Sequence, residues 1–225
     1  MRLELVARTE GVGKYKGLTS EEIVAAIARH GVIKEDGGKL VKYLMKAHHW
    51  SPLDMINFAF EVETSRAIGR QWLRHASIKP QEHSQRYSDR VLFENIELRR
   101  EHPTNRQSST DVFDPTITSI VGRDTAHRLA SYTIQKHLEE VEKLYYNLLE
   151  VGVAKECARM ILPECTTSTL TFNGSLRSWL AFLNVRCDNH AQKEIVILAT
   201  LVGETLEKEM PSVFSQIDWR QGMFM

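Results

Sequence analysis

The sequence predicts an α/β (α+β) chain, and three stretches carry that class. Residues 57–63, NFAFEVE, alternate apolar and polar, which puts Phe58, Phe60 and Val62 on one face of a strand. Residues 127–151 place Ile134, Leu138, Val141, Tyr145 and Leu148 three and four apart, the apolar stripe of the longest expected helix. The β-branched run 166–172 reads as a strand, and it leads into residues 174–186, where Leu176, Trp179, Leu180 and Leu183 form the inward side of a helix.

The remaining elements come in chain order. Residues 2–8 alternate weakly and suggest a strand. Thr19 and Glu22 make a capping box for the segment IVAAIARHG, a helix that Gly31 ends. A short helix is expected at 39–48 and another at 66–76. Pro80 then interrupts the helical pattern, which leaves Glu82–Tyr87 in a loop or an extended piece. Residues 99–125 are polar and hold Pro103 and Pro115; they read as a long surface loop, a candidate lid. A short helix at 154–162 stops at Pro163, and Asp188 is expected to cap a last helix from Asn189 to about Glu209.

At 225 residues and 42% hydrophobic content, the chain is expected to form one domain over 1–225 with a sizeable core. The 29 Lys and Arg balance the 29 Asp and Glu, which argues against nucleic acid as a partner, since that normally needs a basic surface. No apolar run approaches the roughly 18 residues of a membrane span, and the start, MRLELVARTEG, lacks the apolar stretch of a secretion signal. Three cysteines, Cys157, Cys165 and Cys187, lack metal-type pairing and read as reduced thiols of a cytoplasmic protein, bacterial or phage-encoded. Cys187 follows Arg186, which could lower its pKa, but a structural thiol is the commoner reading. The nine histidines show no metal-binding spacing, so no metal is expected.

Against this neutral background, residues 70–90, RQWLRHASIKPQEHSQRYSDR, gather Arg70, Arg74, His75, Lys79, Arg86 and Arg90. On a helix over 66–76, Gln71, Arg74 and His75 share a flank, and the loop after it can close on the same ligand. Guanidinium groups present paired donors that match phosphate oxygens. From composition alone, a discrete anion site and a solvated basic helix with a polar loop fit equally well.

The order of residues in this segment resembles the signature of the flavin-dependent thymidylate synthases. Gln71, Trp72, Arg74, His75, Glu82, Ser84, Arg86, Tyr87 and Ser88 match it, while Ala76 stands where the Arg-His-Arg triplet has its third arginine and Gln81 stands where asparagine is common. A second block, residues 158–194, matches at Arg159, Leu162, Pro163, Arg177, Ser178, Phe182, Arg186, His190, Ala191 and Gln192. A third, residues 43–62, matches at His49, Ser51, Pro52 and Asp54, with Asp54 in place of the usual glutamate and Met55 in place of the usual histidine.

The resemblance implies a thymidylate synthase-complementing-protein-like fold, with a central, mostly antiparallel sheet and flanking helices. It implies reductive methylation of dUMP to dTMP, with methylenetetrahydrofolate as carbon donor, FAD as the hydride-carrying cofactor and NADPH as reductant. It also implies a homotetramer. By the same resemblance, Gln71, Arg74, Glu82, Ser84, Gln85, Arg86, Arg159 and Arg186 would bind the nucleotide. His49, Ser51, Asp54, Arg74, His75, Arg177 and His190 would border the flavin. Arg186 and Ser84 are the candidate catalytic pair, Arg186 against the uracil edge and Ser84 as a binding group rather than a nucleophile, since no adjacent base is assured. Arg177 and Arg186 are nine positions apart and would face opposite ways on one helix, so they would serve different ligands or subunits. Ala76 opens alternatives: compensation by Lys79, a dUMP hydroxymethylase of the same fold, or a non-catalytic nucleotide or flavin binder.

Overall fold

The computed structural model describes residues 1–87, 90–121, 124–222 and 224–225. In chain order the strands are β1 (Arg2–Arg8), β2 (Asn57–Ser65), β3 (Lys79–Glu82), β4 (Arg99–Glu101), β5 (Ser109–Val112), β6 (Thr116–Val121), β7 (Asp124–Leu129) and β8 (Thr167–Ser175). The helices are α1 (Ser20–Ala28), α2 (Gly37–Lys46), α3 (Arg66–Trp72), α4 (Ala130–Glu150), α5 (Lys155–Ala158), α6 (Leu176–Arg186), α7 (Lys193–Glu209) and α8 (Pro211–Phe214). The α/β class is therefore observed. The chain divides into two compact units, one of Met1–Glu63, Ile68–Glu82 and Thr169–Met225, the other of Thr64–Ala67 and His83–Ser168.

The first unit is built on a sheet of order β1-β2-β8-β3, in which the pairs β1–β2 and β3–β8 are antiparallel. Alternation predicts the buried face of β2 correctly, since Phe58, Phe60 and Val62 are all fully buried. β3 lies at the sheet's edge, where Pro80 can sit opposite Phe172 without depriving an inner ladder of a donor. α6 buries Leu176, Trp179, Leu180, Phe182 and Leu183, and the Trp179 indole donates to the Phe58 carbonyl at 3.0 Å. α7 adds Ile195, Leu198, Ala199, Val202 and Leu206 at helical spacing. Each fully buried Leu, Ile, Val or Phe among these stabilises the fold by about 1.5–3 kcal/mol through burial. The capping box at Thr19 forms as expected: the Thr19 hydroxyl accepts the Glu22 N–H at 3.3 Å, and the Thr19 N–H donates to the Glu22 carboxylate at 2.7 Å.

The second unit has a small core of Val91, Tyr145, Ala158 and Leu162. The Glu94 carboxylate accepts the Ser65 N–H at 2.9 Å. Of the 21 residues of α4, only Ala130 and Tyr145 are buried among those described.

Four local expectations are corrected. The 66–76 helix stops at Trp72; a helix running to 76 would leave only Ser77 and Ile78 to turn back, and Ile78 must reach the core before β3 begins. The described residues of 99–125 are not one loop but pair as two antiparallel ribbons, β4–β5 and β6–β7. Their strands escape a pattern search because both faces can be wet: all four residues of β5 are exposed, so no apolar alternation marks it. Residues 127–129 continue β7, and the long helix begins at Ala130. The last helix begins at Lys193 behind Gln192, and the Asp188 carboxylate instead accepts the His190 N–H at 2.7 Å.

Candidate active site

The site in the first unit starts from Trp72. This indole is buried to 1% exposure, with ring centroids 4.8 Å from Phe172 and 4.4 Å from Phe182. Anchored there, the chain presents Gln71 just before the tryptophan and Arg74 and His75 on the turns just after it. The burial pattern of α6 fixes the other side. With Phe182 and Leu183 fully buried, Arg186 emerges half-buried as the helix's last residue.

Arg186 joins these pieces. Its Nε donates to His75 Nε2 at 2.9 Å, and its Nη2 donates to the Gln71 carbonyl at 3.0 Å. The His75 ring stands edge-on to Phe182, 5.0 Å between centroids. The Gln71 side chain donates to Gln192 Oε1 at 2.7 Å, and Gln192 donates to Glu194 at 2.8 Å. Burial, and then the charges of Arg186 and Arg74, push the His75 pKa down from the ordinary 6.5 to about 4. Burial and then Arg74 also lower that of Arg186. The neighbouring charges that act on both groups are cationic. Gln71, His75 and Arg186 thus come together through Arg186, whereas the single helical flank expected to carry Gln71, Arg74 and His75 ends with α3 at Trp72. Phe182 is in the second matching block, but the match gives it no role; its contacts with Trp72 and His75 follow from its position four before Arg186 on a buried helix face.

A second group lies at the start of α6. Ser175 caps the helix by accepting the Ser178 N–H at 3.2 Å, and its hydroxyl donates to Asp54 Oδ1 at 2.9 Å. Arg177 donates to Asp54 Oδ2 at 3.2 Å. Both Asp54 oxygens are therefore engaged within the protein. Arg177 and Arg186 take separate partners, in keeping with their nine-residue separation. His49 and Ser51 are exposed, and the His49 N–H closes the end of α2 on the Leu44 carbonyl at 2.9 Å. His190 and Glu82 are exposed as well. Lys79 donates to the Ala76 carbonyl at 3.0 Å, which holds an ammonium beside the position that departs from the triplet.

Ser84, Gln85, Arg86 and Arg159 belong to the second unit. The Ser84 hydroxyl accepts the Arg86 N–H at 3.3 Å, and the Ser84 carbonyl accepts the Tyr87 N–H at 3.0 Å, so the segment is a tight turn with the Arg86 guanidinium 6.0 Å from the Tyr87 ring centroid. Arg159 is half-buried in a single 3-10 turn, Arg159–Ile161. Ser88, the last position of the motif, lies outside the described residues. Cys187 is buried, and burial pushes its pKa up to about 11, so the possibility of a reactive thiol beside Arg186 gives way to a protonated structural one.

Comparison with known proteins bears on this arrangement. Residues 11–212 match the family model described as thymidylate synthase complementing protein. The chain is 35% identical over 205 residues to a flavin-dependent thymidylate synthase of Synechocystis, covering 90% of this chain and 91% of that one. It is 34% identical over 209 residues to a probable flavin-dependent thymidylate synthase of Paramecium bursaria Chlorella virus 1, covering 89% and 92%. A flavin-dependent thymidylate synthase of Treponema denticola is 30% identical over 201 residues, covering 88% and 74%.

Proposed function

The chain belongs to the flavin-dependent thymidylate synthases, a family of enzymes, and from that membership we propose that it converts dUMP to dTMP by reductive methylation, with methylenetetrahydrofolate as carbon donor and NADPH as reductant. The observation that carries the reading is the half-buried Arg186, pinned at two of its nitrogens with the Arg74 cation acting on it. Such a place suits an anionic ligand or one that becomes anionic as it reacts.

In this reading Arg186 faces the uracil edge. Its remaining N–H donors stabilise negative charge that develops on the ring, and they need no reorganisation because the guanidinium is already fixed. A preorganised donor of this kind lowers a barrier by about 3–4 kcal/mol. Gln71 and Arg74 bind the nucleotide and Glu82 orients it, and Arg86, Arg159 and the turn at Ser84 and Gln85 are the second unit's proposed nucleotide ligands. The arginines also fit a flavin dinucleotide, whose anionic pyrophosphate takes paired guanidinium donors. Arg74, His75, Arg177, His49, Ser51 and His190 would border it, with Asp54 setting Arg177. When bound, the flavin supplies the hydride that completes the methyl group.

The proposed assembly is a homotetramer acting in the cytoplasm. Its support is the poorly covered α4 region, where Leu129, Tyr132, Leu144 and Tyr146 are exposed. Among the described residues no helix is long and apolar enough to cross a membrane.

Product analysis with dUMP, methylenetetrahydrofolate, FAD and NADPH tests the reaction. The expected product carries a methyl group at C5. A product heavier by one oxygen would instead assign a hydroxymethylase, the alternative that Ala76 raises. A colourless protein that forms neither product would overturn both.

A further inference from the structure

We propose that His75 is a positioning residue for Arg186, acting as a neutral hydrogen-bond acceptor that fixes which edge of the guanidinium is presented to the nucleotide. The proposal rests on the reading that Arg186 faces the uracil.

Arginine has N–H donors and no acceptor, so a hydrogen bond from Arg186 Nε to His75 Nε2 requires a lone pair on Nε2. The imidazole must then be neutral and carry its proton on Nδ1. The charges that bear on the ring act in the same direction: Arg186 from α6 and Arg74 from the ring's own segment both disfavour a second proton. Phe182 holds the ring edge-on from α6.

The consequence lies in the guanidinium's shape. Nε and Nη2 form one edge of the planar fork, and His75 and the Gln71 carbonyl together occupy that edge. Three donors remain: the end-on edge, with one N–H on Nη1 and one on Nη2, a pair that suits two acceptors or one developing anion, and the second Nη1 N–H on the far side. Without His75, the guanidinium keeps a single anchor at Gln71 and can swing about it. Misplacing a catalytic donor by about 1 Å lowers turnover on the order of 10²-fold. His75 therefore contributes to the reaction through Arg186, whatever it touches directly.

Histidine-selective 15N NMR of the full chain, without ligand, examines the pairing directly. The expected spectrum shows His75 protonated on Nδ1, titrating near 4 and moving toward 6.5 in Arg186→Gln. A proton on Nε2, or a titration unmoved by Arg186→Gln, would overturn the proposal. Turnover of the flavin-loaded enzyme supplies the second arm. His75→Leu should lower kcat on the order of 10²-fold, with flavin absorbance retained, and His75→Gln, whose amide oxygen can replace the acceptor, should recover at least about tenfold of that loss. A leucine variant as active as the wild type, or a glutamine variant no better than leucine, would refute the role; should the leucine variant not fold, the glutamine variant and the spectra decide. If the wild type itself makes no thymidylate, the functional reading fails, while the tautomer and its dependence on Arg186 still judge the pairing.

Discussion

At Arg186, a single side chain gathers most of what is distinctive about the site, because it reaches a segment, Gln71 and His75, more than a hundred positions earlier in the chain. Arg186→Ala should lower kcat by about 10²–10³-fold while the circular dichroism spectrum stays unchanged, the loss expected for one preorganised donor. His75 links the same site to stability. Its folded pKa of about 4 lies below the ordinary 6.5, so between these values the unfolded chain binds a proton that the folded chain refuses. Stability should therefore be fully present above about pH 6.5 and fall as pH drops toward 4, with a shallower slope in His75→Gln. Urea titrations from about pH 7 to about pH 4.5 measure both slopes. The chemistry of these residues is legible in the sequence as a motif. Their pairing is not, because a hydrogen bond between positions 75 and 186 depends on how α6 packs.

Among the elements, α1 and α2 share a device that the sequence shows only in part. Each ends with a histidine in the left-handed region, His30 at φ 55° and His48 at φ 54°. In each, the next residue's N–H reaches back, Gly31 to the Ala26 carbonyl at 2.7 Å and His49 to the Leu44 carbonyl at 2.9 Å. Gly31 is thus a helix stop, as its residue type implies, but the residue before it also bears the unusual backbone. His48→Gly removes left-handed strain of about 1–2 kcal/mol against an unfolded-state entropy penalty of about 0.5–1 kcal/mol. A net gain of about 0.5–1 kcal/mol in chemical denaturation is expected. Gly203, inside α7, gives the opposite sign. A Cβ there would meet Trp219 Cζ3 at 2.1 Å. Helix propensity favours alanine by about 1 kcal/mol, but overpacking against a buried indole costs about 1–3 kcal/mol. Gly203→Ala should lower stability, read as a lower Tm, whereas an exposed helical glycine would gain by the same change.

For the molecule as a whole, the expectations are one domain and four copies. α4 is amphipathic enough to be found by eye, yet it covers little of itself within the chain, and Leu144 is 50% exposed. An assembly of four chains in multi-angle light scattering is expected, with Leu144→Asp shifting it to smaller species while the secondary structure is kept. A single cooperative thermal transition in the intact assembly would support treating residues 1–225 as one folding domain. Two well-separated transitions would speak for the two compact units instead.

The sequence by itself determined the α/β class, the buried face of β2, the inward side of α6, the capping box at Thr19 and the family to which the chain belongs. Each is written either in a short periodicity or in an ordered set of residue types, which local reading can recover. Only the tertiary structure decided where α3 stops, that β4–β5 and β6–β7 pair as ribbons, and that Arg186 meets His75 and Gln71. Those outcomes turn on contacts between distant segments: Ile78 has to reach the core, solvated strands are held by backbone pairing without an apolar pattern, and a guanidinium takes whichever acceptors the packing of its helix brings within about 3 Å.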